Sequence, residues 1–177
     1  MMMRALGPGS VSSFLKIILD VVYVSLWVFL GVIGLIVLAA LLFSFNPELL
    51  LNNISAPEAG EWAPRIPLFA GMLFAFALSV GGVLVIVASL RRIFATLTAG
   101  DPFHPYNVNR LRLIGLMLGL LELGRYAVWG VSSRISWIDR VEPNFSVTAW
   151  FSVLVVFVLA EVFREGARLR REAELTI

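Results

Sequence analysis

Four long apolar runs divide the chain, over residues 17–45, 66–90, 113–131 and 147–163. A helix needs about 20 apolar residues to cross the hydrocarbon of a bilayer. The last two runs just reach that length. The first exceeds it, so it must tilt or project beyond the hydrocarbon. None shows the period-two alternation of a barrel strand. The pattern predicts an all-α polytopic membrane protein, a four-transmembrane-helix bundle forming one membrane domain over residues 1–177. Its polar segments are a loop over 91–112 and a tail over 164–177. The first run is about twice the length of a signal-peptide core, and no small-x-small cleavage site follows it, so it reads as an uncleaved span.

Composition sharpens this picture. Hydrophobic residues make up 59% of the chain and charged residues 15%, against roughly 25% charged in a soluble domain. The mean hydropathy is +0.91. These values exclude a soluble globular protein, a disordered chain and a domain that binds nucleic acid directly. The formal net charge is only +2, but its distribution is informative. Arg4, Lys16, Arg91, Arg92, Arg110, Arg112, Arg164, Arg168, Arg170 and Arg171 fall on one side of the predicted spans; Arg65, Arg134 and Arg140 fall on the other. Ten against three puts both termini in the cytoplasm. Trp62, Trp129, Trp137 and Trp150 cluster at the opposite, outer ends, where indoles favour the interface. Trp27 is the exception, expected in helix packing or against lipid. Arginine stands at every basic position except Lys16, a bias that points to a GC-rich, bacterial coding sequence. The predicted location is the bacterial cytoplasmic (inner) membrane. The segments between the first two and the last two spans are too short to fold as outer domains.

Candidate chemistry is sparse. The chain has no cysteine and one histidine, which excludes disulfides, thiolate nucleophiles and a multi-histidine metal cage. Phosphate-binding, serine-hydrolase and zinc-protease motifs are absent. His104 with Asp101 makes too thin a catalytic case, so no catalytic, cofactor-binding or metal residue is assigned and no cofactor is expected. The 91–112 loop contains Gly100-Asp101-Pro102-Phe103-His104-Pro105-Tyr106-Asn107. Helix is expected to run to about Ala99, with Gly100 as a left-handed terminator. Asn107 is expected to cap the next helix, or Asp101 to cap a turn beginning at Pro102. Two readings apply to this loop, a compact turn and a docking surface, and they are compatible.

Glu122 and Arg125 lie three apart in the third run, close enough to pair on one helix face. An ionisable side chain at bilayer depth costs about 2.5 to 3.5 kcal/mol on insertion scales, so Glu122 should face the bundle interior or a wet cavity. The pair either fixes packing or forms a proton or ligand site. Gly115 and Gly119 form a small-xxx-small pattern suited to close helix approach, within the chain or in a homo-oligomer. Asp20 is expected to pair with Lys16 four residues before it. In the tail, Glu161 with Arg164, Arg168 with Glu172 and Arg170 with Glu174 share helical spacing. The last span should therefore continue as a charged helix that ends near two apolar residues, Leu175 and Ile177.

Two stretches carry a family resemblance. One is Gly100-Asp101-Pro102-Phe103 with Asn107, Arg110-Leu111 and Ile114-Gly115. The other is Glu161 to Leu169 with the ending Glu174-Leu175-Thr176-Ile177. In combination they resemble the bacterial family of domain of unknown function 2975, whose members are small four-span membrane proteins. That resemblance brings no assigned activity with it. It implies a membrane partner that controls or tethers a small helix-turn-helix transcription regulator. The expected partner-facing residues are Asp101, Phe103, Tyr106, Asn107, Arg110, Arg164, Arg168, Leu175 and Ile177. The rival expectation is a small-solute transporter or channel that uses Glu122 and Arg125.

Overall fold

The computed structural model describes residues 11–46, 65–133 and 145–175. These contain four helices and no strand: α1 (Val11–Phe45), α2 (Ile66–Thr98), α3 (Pro105–Ser132) and α4 (Val147–Leu175). Trp62, Trp137, Arg134, Arg140, Thr176, Ile177 and most of both expected outer connections lie outside the described residues.

Local chemistry sets the ends. α2 stops at a glycine, and Gly100 has φ +83°, a conformation that costs a residue with a Cβ. The Gly100 N–H donates to the Leu97 carbonyl (3.1 Å) and the Asp101 N–H to the Thr96 carbonyl (3.0 Å). This pair of bonds satisfies carbonyls at the end of the helix. α3 begins four residues later than Asp101, with Pro105 at its first position, where a missing N–H costs nothing. Its cap is His104, whose Nδ1 accepts from the Tyr106 N–H at 3.3 Å. The expected Asn107 cap is thus incorrect: Pro105 can start the helix, so Asn107 falls inside the first turn. At the start of α4, the Ser146 hydroxyl accepts from the Ala149 N–H at 3.2 Å, a side-chain cap.

Among the described residues, three stretches are long and apolar enough to cross a membrane: Phe14–Phe45, Ile66–Thr98 and Val147–Ala173. α3 is not among them; Glu122 and Arg125 interrupt its apolar run. Many large apolar side chains on the three spans are exposed, including Phe14, Val28, Leu35, Leu78, Phe151 and Leu154. Apolar surface on this scale is a lipid-facing surface rather than a wet one.

The helices divide into two compact units, one combining Met1–Ser25 with Gly82–Ile177, the other Leu26–Gly81. In the second, Ile33 and Val37 of α1 and Val80 of α2 form a buried cluster, flanked by Leu26, Leu30, Leu73 and Ala77. The three- and four-residue spacing puts each set on one helix face. Phe29 and Phe76 add an edge-to-face contact at 6.3 Å. In the first unit, Ile93, Leu111, Ile114 and Ala160 are buried among Ile86, Leu90, Leu97, Leu118, Val156 and Phe163. Here α3 and α4 run antiparallel. A Cβ at Gly115 would stand 3.0 Å from the Phe157 ring, whereas nothing lies within 4 Å of one at Gly119. Among the described residues, Gly115 alone of the two therefore serves close helix approach.

Candidate functional site

Several charged and aromatic residues of the first unit meet at the end where α2 joins α3. Asn107 is the centre of this region and is 0% exposed. Its Nδ2 donates to Thr96 Oγ1 (2.7 Å) and to the Pro102 carbonyl (3.1 Å). Its Oδ1 accepts from Arg110 Nη1 (3.0 Å), which also donates to the Arg92 carbonyl (2.9 Å). One amide thus joins the last turn of α2, the loop and the first turn of α3. Buried amides need such partners, since an unmade bond costs more than a made one contributes. Asn107 has no surface to offer a partner, which corrects its expected role. Arg110 is half-buried and committed to the same network.

Phe103 closes the loop onto α4. Its ring lies against Phe163, with centroids 5.6 Å apart and planes at 53°. It also covers Gly166 so closely that a Cβ there would be 2.5 Å from Phe103 Cε1. Beside it, Arg170 Nη1 donates to Asp101 Oδ1 at 2.5 Å. Asp101 therefore caps no turn; it holds the tail. Arg170 was expected to pair with Glu174, whose side chain lies outside the described ones. The loop and tail motifs, far apart in sequence, form one surface.

A groove of about 620 Å³ runs along this surface between the start of α3 and the end of α4. Arg112, Arg164, Arg168 and Arg171 line it, with Glu165 and Glu172 among them. Arg164 pairs with Glu161. Arg168 pairs with Glu165 at 2.5 Å and lies 3.8 Å from Glu172, as its helical spacing implied. Tyr106 (65% exposed) and Leu175 (82%) project from the same surface.

Asp20 does not take Lys16. It accepts from Arg91 Nε at 2.5 Å, and the Arg91 guanidinium sits 4.3 Å from the Tyr23 ring centre. Glu122 is buried, as expected, and Arg125 meets it with two bonds: Nε to Oε2 at 3.1 Å and Nη2 to Oε1 at 2.5 Å. The Arg125 side chain remains 47% exposed, so it reaches outward while it neutralises the inward carboxylate. Among the described residues no group of three histidine, aspartate or glutamate side chains could hold a metal ion.

Length, apolarity and outward-facing hydrophobic surface define the class, an α-helical membrane protein. A sequence-family model described as Protein of unknown function (DUF2975) matches residues 50–177, and the chain belongs to that family. The matched region contains both the loop and tail motifs. No curated protein and no solved structure matches the chain.

Proposed function

We propose that the chain crosses the bacterial cytoplasmic membrane four times, with both termini inside, and acts without catalysis as a regulatory protein. It engages a cytoplasmic partner through residues 91–112 and 164–175. The observation that carries this reading is the joining of loop and tail through Phe103 on Gly166 and Asp101 on Arg170. A mere turn between helices has no need of a tail locked against it. Asp101 and Phe103 shape the surface, and Tyr106, Arg164, Arg168 and Leu175 face outward from it. The family resemblance supplies the partner class, a small helix-turn-helix regulator held at the membrane. Ten basic residues on the inner side support the orientation. α3 serves as the fourth span because its one inward acid is matched by Arg125. The same match weakens the transporter reading, since the Glu122 carboxylate is already occupied by the guanidinium.

The test is in-cell photo-crosslinking from Tyr106 and from Leu175, compared with a chain truncated after Arg171. Tyr106 in the intact chain should capture a small DNA-binding protein, and the truncated chain should lose it. Capture of nothing but copies of the chain itself would overturn the reading and favour transport. Reporter fusions at residue 177 and within 134–144 read the orientation, and an outward C-terminus would refute it.

A further inference from the structure

We infer that the groove between α3 and α4 is built to hold an acidic, amphipathic helical segment of a protein partner. The inference rests on the partner reading above and names the chemistry of the docking element. Arg164, Arg168, Arg171 and Leu175 fall at positions i, i+4, i+7 and i+11 of α4, a single helix face. That face lines the groove, and Arg112 and Val108 approach from α3. A cationic row ending in leucine is complementary to a helix with carboxylates at i, i+4 and i+7 and an apolar residue a turn beyond.

The arginines are not equally committed. Arg164 and Arg168 already have glutamate partners. Arg112 is 3.9 Å from Glu161, a long contact, and Arg171 makes no ion pair among the described residues. One loosely held guanidinium therefore stands at each end of the groove, where it can meet an incoming carboxylate at little cost to existing pairs.

A phospholipid head group is the competing anion, and length decides against it. From Arg164 to Leu175, α4 rises about 16 Å. The polar layer of one leaflet is only about 5 to 8 Å deep. The apolar run of α4 ends at Phe163, so the groove starts where the hydrocarbon ends and reaches about twice as far as the head groups do. A lipid would fill its first turn; a three-turn helix fills its length.

The test uses the intact protein in phosphatidylcholine nanodiscs. The probe is a fluorescent 14-residue alanine-based peptide with glutamates at i, i+4 and i+7 and leucine at i+11; a control peptide has glutamine for glutamate. The acidic probe should bind, more weakly as salt rises, and the control should not. Arg112→Gln with Arg171→Gln should weaken binding by about tenfold, the effect of removing two exposed charge contacts. Glu165→Gln with Glu172→Gln should strengthen it by removing competing carboxylates, a gain that misfolding cannot produce. No binding of the acidic probe, equal binding of the control, or indifference to the arginine pair would each overturn the inference. Loss of co-purified phosphatidylglycerol from the arginine variant, without peptide binding by the wild type, would assign the groove to lipid instead. If Tyr106 still captures its partner while the peptide arm fails, the partner reading survives and only the groove assignment falls.

Discussion

Gly166→Ala isolates the contact that joins the loop to the tail. The new Cβ would stand 2.5 Å from Cε1 and 2.6 Å from Cδ1 of Phe103, so the ring must leave its seat. Phe103 is 37% exposed; roughly two thirds of the value of burying a phenylalanine, about 1–2 kcal/mol, is at stake. Its tilted contact with Phe163 adds about 0.5–1.5 kcal/mol. Opposing these, alanine in a helix interior is favoured over glycine by about 0.5–1 kcal/mol. The net effect should be loop undocking by about 1–2 kcal/mol. In a Phe103→Ala background the obstacle is gone, and the same substitution should stabilise by about 0.5–1 kcal/mol. The sign of the effect therefore reverses. Hydrogen exchange reads it locally, because the amides of Gly100 and Asp101 are bonded to Leu97 and Thr96 only while the turn is closed. Their exchange should quicken by about tenfold in Gly166→Ala, as about 1.4 kcal/mol implies. An effect of Gly166→Ala that is the same in both backgrounds, within about 0.5 kcal/mol, would refute the argument.

Three further outcomes follow from the same geometry. Asn107→Ala removes the amide that serves Thr96, Pro102 and Arg110; it should cost about 2–3 kcal/mol, seen as a drop in Tm in detergent, and an unchanged Tm would mean that water replaces it. Asp20→Asn should cost no more than about 1 kcal/mol, because the Asp20–Arg91 pair is 41% and 34% exposed and screened by salt. The swap Asp20→Arg with Arg91→Asp should recover part of whatever the single change loses in the same melt. Arg125→Gln leaves Glu122 buried without its cation and should melt lower than the double variant Glu122→Gln with Arg125→Gln. Insertion costs of about 2.5–3.5 kcal/mol for an ionisable group bound the gap, and equal melting would show that the pair does not hold Glu122 in place.

The apolar runs carried the helices themselves, and Gly100 was legible as a terminator because a glycine before two prolines has few other uses. Errors arose where one side chain had two partners to choose from. Spacing along a helix reveals only partners on that helix, as Lys16 for Asp20. The fold offers Asp20 a guanidinium from α2 instead, and brings Arg170 a carboxylate from the loop that no helical spacing could reveal. Where only local partners were available, as for Glu122 with Arg125 and Arg168 with Glu172, spacing was enough. Asn107 was misread for a related reason. Asparagine suits a helix cap, and nothing in its neighbours says that Pro105 starts the helix two residues earlier and turns the amide inward. Gly166 belonged to the tail motif, but the reason for a glycine there is Phe103, and that requires the two motifs to meet.

The meeting of those motifs is also where energy is available to set the register of α3 against α4. Inside hydrocarbon an apolar side chain gains little by touching another helix rather than lipid, so association depends on close fit and polar contacts. Gly115 against Phe157 supplies such a fit. At the loop end, on the proposed orientation, water is present, and burial of Phe103 draws on the hydrophobic effect as well. The Asn107 network and the Asp101–Arg170 pair then hold that end in one arrangement. A partner meeting such a surface encounters side chains already in place and loses little entropy in ordering them. The loop end is thus both firmly braced and the part proposed for recognition, and one set of contacts accounts for both.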